Sequence, residues 1–370
     1  MVHVGIDARE LQDYMTGIGR YLSESLQYFG SLRPHWKWTL FHTNERAVES
    51  YTDYQKIGLR SGSVLVQDQW EIPHLAKRMG IDIFFSPYYK LPWFLPCPGL
   101  VIVNDINILY SPEYRSLKGR AYRCHFFFNL QVSIRRAARV LVISDWTRAE
   151  LLRRFWVEPD KVRLNYLGVK EPSQTEVHSD WDRYRREKEI DDEYFLYVGN
   201  LKPHKNLLFL LDVYKQLPAE LRRKYKLVIA GNHSPYREII EKKVKENELT
   251  DRVRLLGHVR DDLLNDLYRT AHLFLFPSLL EGFGFPPLEA MAFGVPVVSS
   301  NATSLKEVVG EGGWTLDPGD KQQFVDAIVT LCEDSTRYEE FRQRGKSWVQ
   351  RFSTEKTART IIEELEKLLH

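Results

Sequence analysis

Residues 273–294 read LFLFPSLLEGFGFPPLEAMAFG. An unbroken apolar run is followed by a loop holding Gly282 and Gly284, and then by Pro286 and Pro287 at the opening of a helical pattern. A short apolar run without polar alternation describes a strand buried on both faces, as in a parallel sheet covered by helices. The glycines let backbone approach a ligand closely, and proline suits the first turn of a helix. Such a helix start aims free N–H groups and the positive end of its dipole at the loop, a ready site for phosphate. Glu281 and Glu289 flank that loop. A carboxylate beside a phosphate is repelled unless it faces something else, and sugar hydroxyls are the groups that seek an acceptor. The stretch therefore describes a site for a sugar attached to a nucleotide diphosphate. With 50 acidic residues in the chain, two glutamates eight apart recur by chance. The glycines and prolines between them single this pair out.

The same apolar-run-then-helix alternation extends in both directions. The first half supplies HVGIDA (3–8), KWTLFHT (37–43), SVLVQ (63–67), DIFFSP (82–87), LVIVND (100–105) and RVLVIS (139–144) as strands. The second supplies YFLYVGN (194–200), KLVIAGN (226–232), VRLLGHV (253–259), LFLFPS (273–278), VPVVSS (295–300) and WTLD (314–317). The expected fold class is α/β, with two Rossmann-like, doubly wound parallel-sheet domains at 1–170 and 193–350 facing across a cleft. Residues 171–192 lose the strand pattern, become strongly charged and are expected to form an exposed linker. Within it Asp180-Trp181-Asp182 has the spacing of a metal-binding carboxylate pair, though a solvated linker explains it better. After Asp320 two helices are expected, the last capped by Ser353.

Composition removes several classes. At 370 residues the chain suits about two domains. Its 43% hydrophobic and 28% charged residues suit a globular protein. No apolar run approaches a membrane span, and Asp7, Arg9 and Glu10 stand where a signal peptide needs apolar residues, so a cytoplasmic location is expected. Cys97, Cys124 and Cys332 form neither a paired framework nor a metal knuckle. A net charge of +2 is too mild for a nucleic-acid partner.

Further candidates follow from position, because open α/β sheets bind ligands beyond the carboxyl ends of their strands. GNLKPHKN (199–206) places Asn200, Lys202 and Lys205 after a strand, where the lysines can neutralise a diphosphate. TGIGRY (16–21) offers Gly17 and Gly19 at a helix start, without the six-residue dinucleotide fingerprint or its ribose-binding acid. An oxidoreductase is set aside on that ground. Asn104-Asp105 closes a strand where a carboxylate can orient an acceptor hydroxyl, and Val259 is counted with the substrate-binding residues. Residues 84–98 are aromatic and proline-rich, and basic residues dominate from Arg115 to Arg139. Such a face suits a lipid-linked glycan at the inner membrane surface, and a core loop beside a solvated helix explains it equally. Asn301-Ala302-Thr303 matches a glycosylation sequon by chance.

Together these stretches resemble a family-4 glycosyltransferase of the GT-B architecture, of the glycosyltransferase group 1 type. The resemblance is carried by GIDARELQDYMTGIGRYL (5–22), VISDWTRAELL (142–152), YVGNLKPHKNL (197–207) and above all residues 276–313, with Glu281 and Glu289 in an E-x7-E pattern. It implies a nucleotide-sugar donor held mainly by the second domain and a helix at 351–370 crossing back to the first. It also implies transfer of a hexose of mannose, glucose or rhamnose type, with retention of configuration and no metal or other cofactor. The acceptor would be a hydroxyl of a glycan or lipid-linked glycan, in cell-surface polysaccharide biosynthesis. By position Glu281 would contact the donor sugar, Glu289 the ribose and Lys205 the diphosphate, with Gly282, Phe283, Gly284 and Phe285 and the Gly17 loop around the phosphates. Two positions depart from the commonest pattern: Asn200 where many members carry arginine, and Asn104 where many carry histidine. Asparagine does not titrate, which leaves Asp105 as the catalytic candidate there. The residues leave open a nucleotide-sugar-binding scaffold without turnover, or a hydrolase or epimerase using the same donor site.

Overall fold

The structure, a computed structural model, describes residues 1–13, 16–170, 172, 177–190, 193–231 and 234–369. They form two compact units, Met1–Gly168 with Phe352–His370, and Val169–Arg351.

The first unit is built on seven strands: β1 (His3–Asp7), β2 (Lys37–His42), β3 (Gln55–Gly58), β4 (Ile83–Ser86), β5 (Gly99–Val103), β6 (Arg139–Val142) and β7 (Val162–Leu164). They lie in the order β3-β2-β1-β4-β5-β6-β7, every pairing parallel. In register, Val4 sits beside Trp38 on one side and Ile83 on the other. Val4, Ile6, Ile83, Phe84 and Phe85 are fully buried, as a strand covered on both faces requires. The helix Gly17–Leu32 follows β1, and the Thr16 side chain caps it by accepting from the Gly19 N–H at 3.3 Å.

The chain's last helix, Thr354–Glu366, packs on Gly17–Leu32 within this unit. Ser353 caps it, accepting from the Lys356 N–H. Buried Glu364 pairs with Arg163 at 2.5 Å, and Thr357 Oγ1 donates to the Tyr166 carbonyl at 2.8 Å. Gly168 meets the helix start so closely that a Cβ there would lie 2.1 Å from the Thr354 nitrogen. Only glycine fits that contact.

The second unit repeats the plan with β8 (Glu193–Val198), β9 (Tyr225–Ala230), β10 (Val253–Gly257), β11 (Leu273–Phe276), β12 (Val297–Ser300) and β13 (Trp314–Leu316). Their order is β10-β9-β8-β11-β12-β13, again all parallel. Each sheet reverses its strand order once, between β1 and β4 and between β8 and β11. Those are the points where a doubly wound sheet opens a crevice for ligand.

Three sequence expectations are corrected. Val64–Val66, read as a strand, is a helical turn continued by the π-helical turn Gln67–Glu71, with Val64, Leu65 and Val66 exposed. The third strand is instead the polar edge segment Gln55–Gly58. After Asp320 there are three helices, Lys321–Glu333, Ser335–Val349 and Thr354–Glu366, because Asp334 caps a helix of its own. The exposed linker expected over 171–192 is in part a packed element. The helix Trp181–Glu187 buries Trp181, Ile190 is buried after it, and the His178 N–H donates to Asp266 at 2.9 Å. Residues 171, 173–176, 191 and 192 of that span lie outside the described residues. Among the described residues no helix is long and apolar enough to cross a membrane.

Candidate glycosyl-donor site

In the second unit β8 and β11 are hydrogen-bonded neighbours, so the loops that leave their carboxyl ends lie side by side. The β8 loop runs through Gly199, exposed Asn200 and half-buried Lys202 into the short turn Pro203–Lys205. The β11 loop runs from Pro277 to Gly284 and opens the helix Phe285–Ala292. The Leu279 N–H donates to the His204 carbonyl at 2.8 Å, and Ser278 Oγ donates to the same oxygen at 3.2 Å. These bonds bring Lys205 Nζ to 2.6 Å from Glu281 Oε1. Both residues are 8% exposed, and the ammonium also lies 5.6 Å from the centroid of the Phe276 ring. A buried pair of this kind neutralises two charges that are costly to strand alone.

Glu281 is held from its backbone as well. Thr303 Oγ1 accepts from the Glu281 N–H at 3.0 Å, and Ser304 Oγ donates to the carbonyls of Glu281 at 3.1 Å and Phe283 at 2.8 Å. Ser300 Oγ donates to the Ser278 carbonyl. The loop after β12 thus fixes the loop after β11. Gly282, Phe283 and Gly284 are buried. Gly284 has φ 120°, and a Cβ there would come 2.7 Å from Leu305 Cδ2, so this turn into the helix requires glycine. Pro286 and Pro287 occupy the first turn. One turn on, Glu289 Oε2 accepts from the Tyr268 hydroxyl at 2.7 Å. Below Asn200 the Tyr197 hydroxyl donates to its carbonyl at 3.3 Å, and burial, then the Glu281 carboxylate, pushes that hydroxyl well above its ordinary pKa. Tyr197 is therefore a neutral donor.

Lys205, Glu281, residues 282–285 and Glu289 thus share one strand-end neighbourhood. Val259 is buried beyond β10, two strands away from β8. Asp180 pairs with Arg183 at 2.8 Å and Arg260 at 3.7 Å, while Trp181 between the two acids is buried.

In the first unit Asn104 and Asp105 follow β5. Asn104 is buried and its Nδ2 donates to the Pro87 carbonyl at 2.9 Å, which also receives the Tyr21 hydroxyl. Asp105 Oδ1 accepts from the Asn107 N–H at 3.0 Å. Gly17 is exposed in the first turn of its helix. Beyond β1, Arg9 Nη2 contacts Asp7 Oδ2 and Asp68 Oδ1, each at 2.6 Å. Burial, then the Asp7 charge, raises the Glu10 carboxyl above its usual range.

Sequence reasoning missed Thr303, Ser304, His204 and Tyr268. Thr303, Ser304 and His204 carry a visible signal, since they belong to stretches already singled out, and Tyr268 carries none. The Thr303 hydroxyl serves Glu281, and its φ of 52° lies in the left-handed region.

Comparison with known proteins identifies the family and the fold. The profile of the family described as glycosyl transferases group 1 matches residues 180–348. The O-antigen chain mannosyltransferase B of Escherichia coli is 30% identical over 370 residues, covering 94% of this chain and 95% of that protein. Among solved structures, sucrose-phosphate synthase from Thermosynechococcus elongatus has a TM-score of 0.79 at 21% identity, covering 100% of this chain and 99% of the other. Anabaena Alr3699/HepE, solved with UDP and glucose, has a TM-score of 0.77 at 18% identity, covering 99% and 100%. These two share the GT-B fold of paired Rossmann-like sheets. A relative aligned along almost the whole length, and a family profile spanning the unit that holds Lys205, Glu281 and Glu289, establish that this chain belongs to the glycosyl transferases group 1 family and is a glycosyltransferase.

Proposed function

We propose that the protein transfers a hexose, mannose first among the candidates, from a nucleotide-diphosphate sugar to a hydroxyl of a glycan or lipid-linked glycan, with retention of anomeric configuration, in assembly of a cell-surface polysaccharide. The observation that carries this reading is the buried 2.6 Å Lys205–Glu281 pair set beside the glycine-rich start of the helix Phe285–Ala292. The mannosyltransferase relative supports the sugar, and UDP and glucose in the HepE structure support the donor class.

In this reading Lys205 and the amides from Gly282 to Phe285 take the charge of the departing diphosphate as the anomeric C–O bond breaks. Each such preorganised donor contributes about 3 kcal/mol in the transition state. Glu281 accepts hydrogen bonds from the donor sugar, and Glu289, steadied by Tyr268, accepts from the ribose. The acceptor oxygen bonds to the anomeric carbon on the face the diphosphate leaves, and its proton passes to the leaving phosphate oxygen. No titrating side chain is then needed at Asn104, and Asp105 orients the acceptor hydroxyl with the Gly17 loop. Lysine and helix amides supply the positive charge, so no metal or cofactor enters the scheme. The lipid-linked acceptor places the protein at the inner face of a membrane.

The test is to incubate the purified protein with GDP-mannose, UDP-glucose or dTDP-rhamnose and a lipid-linked glycan, with and without EDTA, and to assign the product's anomeric configuration by NMR. One donor is expected to turn over, unaffected by EDTA, and to keep its configuration. Inverted product, or release of free sugar without acceptor, contradicts the reading.

A further inference from the structure

Four non-glycine residues among those described have a positive φ: Glu189 at 53°, Asn206 at 60°, Glu248 at 57° and Thr303 at 52°. Three of them sit where that conformation is ordinary. Glu189 follows the helix Trp181–Glu187, closed by the Ile190 N–H donating to the Arg185 carbonyl at 3.0 Å. Glu248 follows the helix Tyr236–Glu246, closed in the same way by the Leu249 N–H on the Val244 carbonyl at 2.9 Å. A left-handed residue just past a helix end is a common helix ending. Asparagine is one of the side chains that visit this region readily, and Asn206 Nδ2 is anchored on the Pro318 carbonyl at 3.1 Å. Thr303 has no such reason. Branching at Cβ makes a left-handed threonine a strained residue.

The strain is held from both sides. The Asn301 N–H donates to the Leu316 carbonyl at 2.8 Å, the Leu305 N–H donates to the Ala302 carbonyl at 3.0 Å, and Leu305 is fully buried. A residue in such a conformation persists where the structure around it over-determines its backbone. Glycine would make the same turn without strain, so the turn alone does not call for threonine. The hydroxyl does. Thr303 Oγ1 accepts from the N–H of Glu281 at 3.0 Å, the residue whose carboxylate pairs with Lys205. Lys205 is followed at once by left-handed Asn206, so a non-glycine residue of positive φ serves each end of that pair. We propose that Thr303 is a positioning residue of the donor site, its strained turn aiming the hydroxyl at the Glu281 N–H and so setting the Glu281 carboxylate for the donor sugar. The proposal rests on the reading of Glu281 as the group that accepts hydrogen bonds from that sugar. Strain of this kind lowers stability and is kept where it preorganises a site.

The test compares Thr303→Ser, Thr303→Gly and Thr303→Val in the whole protein. Serine keeps the hydroxyl without the second branch, glycine makes the turn without a hydroxyl, and valine keeps the branch without the hydroxyl. Affinity is measured by calorimetry for GDP-mannose, UDP-glucose and dTDP-rhamnose, and for GDP, UDP and dTDP alone. Thr303→Gly and Thr303→Val are expected to bind the nucleotide sugar about tenfold more weakly, the worth of one hydrogen bond. Bare nucleotide, which carries no sugar for Glu281, is expected to bind all three variants as it binds the parent. Thr303→Ser is expected to restore parental binding of the nucleotide sugar. In thermal melts Thr303→Gly should stay within about 4 °C of the parent, because relief of strain offsets the lost bond, and Thr303→Ser should melt at or above it. Parental affinity for nucleotide sugar in both the glycine and valine variants overturns the proposal and leaves the donor reading standing. So does an equal loss of affinity for bare nucleotide, or a failure of serine to rescue. A parent protein that binds none of these ligands sinks the donor reading itself.

Discussion

At the switch point of the second unit one lysine meets one glutamate, whereas at the same place in the first unit one arginine is held between two carboxylates. Arg9 donates to Asp7 from Nε at 2.9 Å and Nη2 at 2.6 Å, contacts Asp68 at 2.6 Å and donates to Gln67 at 3.1 Å. Three hydrogen bonds from its planar fork and a charge set between two carboxylates make it a clamp. Lys205 is a point charge on a flexible stem with Glu281 as its carboxylate partner, an arrangement that can exchange a carboxylate for a phosphate. Two sheets with the same strand reversal thus place opposite devices at equivalent positions. Topology provides the crevice, and the residues after the strands decide whether it is locked or exchangeable.

The largest effects should fall on the exchangeable pair. Lys205→Ala and Glu281→Gln are each expected to lower kcat/KM by about 10²- to 10³-fold, the scale for losing one preorganised charge contact, with far-UV circular dichroism unchanged. Steady-state kinetics of both variants checks this, and near-parental rates would dissolve the contrast between the units. Arg9→Met should act on stability instead. Stranding Asp7 and Asp68 costs about 3–5 kcal/mol, read by urea denaturation, while the donor-induced thermal shift persists. A stable Arg9→Met protein that has lost donor binding would reverse the assignment of clamp and exchanger.

Smaller effects sharpen the donor site. Glu289→Gln should raise the donor KM about tenfold with kcat nearly kept, the value of one charge-assisted hydrogen bond. Tyr268→Phe should raise it less, because the tyrosine acts through Glu289. The smallest effect concerns Asp212, which Lys243 and Lys321 each approach to 2.8 Å. Burial favours its neutral form, but the bonds from Lys243, Lys321 and Asn247 outweigh that and hold its pKa down to about 2. A lowered folded-state pKa adds stability above the unfolded value and loses it as pH falls toward 2. Asp212→Asn should therefore cost about 1 kcal/mol at pH 7, and progressively less from pH 4 downward, by thermal melts across that range. A constant difference would mean the carboxylate is not the cause.

The strands most legible in sequence are those buried on both faces, such as Tyr194–Tyr197 and Leu273–Phe276, whose apolar runs have no other explanation. The two edge strands of the first sheet escaped, whereas the edges of the second, Val253–Gly257 and Trp314–Leu316, were read from their apolar residues. Gln55–Gly58 is polar and partly exposed, and Val162–Leu164 is three residues long. The apolar run Val64–Val66, with two β-branched valines, imitated a strand although its side chains face outward on a helical turn. In the candidate donor site, sequence singled out Lys205, Glu281 and Glu289, where chemistry and loop shape coincide. Thr303, His204 and Tyr268 act across the fold, on partners 22, 74 and 21 residues away, and local pattern carries no record of such pairings.

The most direct measurement of the central claim, that Lys205 and Glu281 form the donor site, is the thermal shift of the purified protein against UDP, GDP, ADP and dTDP and their sugar conjugates without added metal. Ligand that binds only the folded state raises the melting temperature. The account predicts a shift of several degrees with one nucleotide family, lost in Lys205→Ala. A shift that survives Lys205→Ala, or none with any nucleotide, would contradict it.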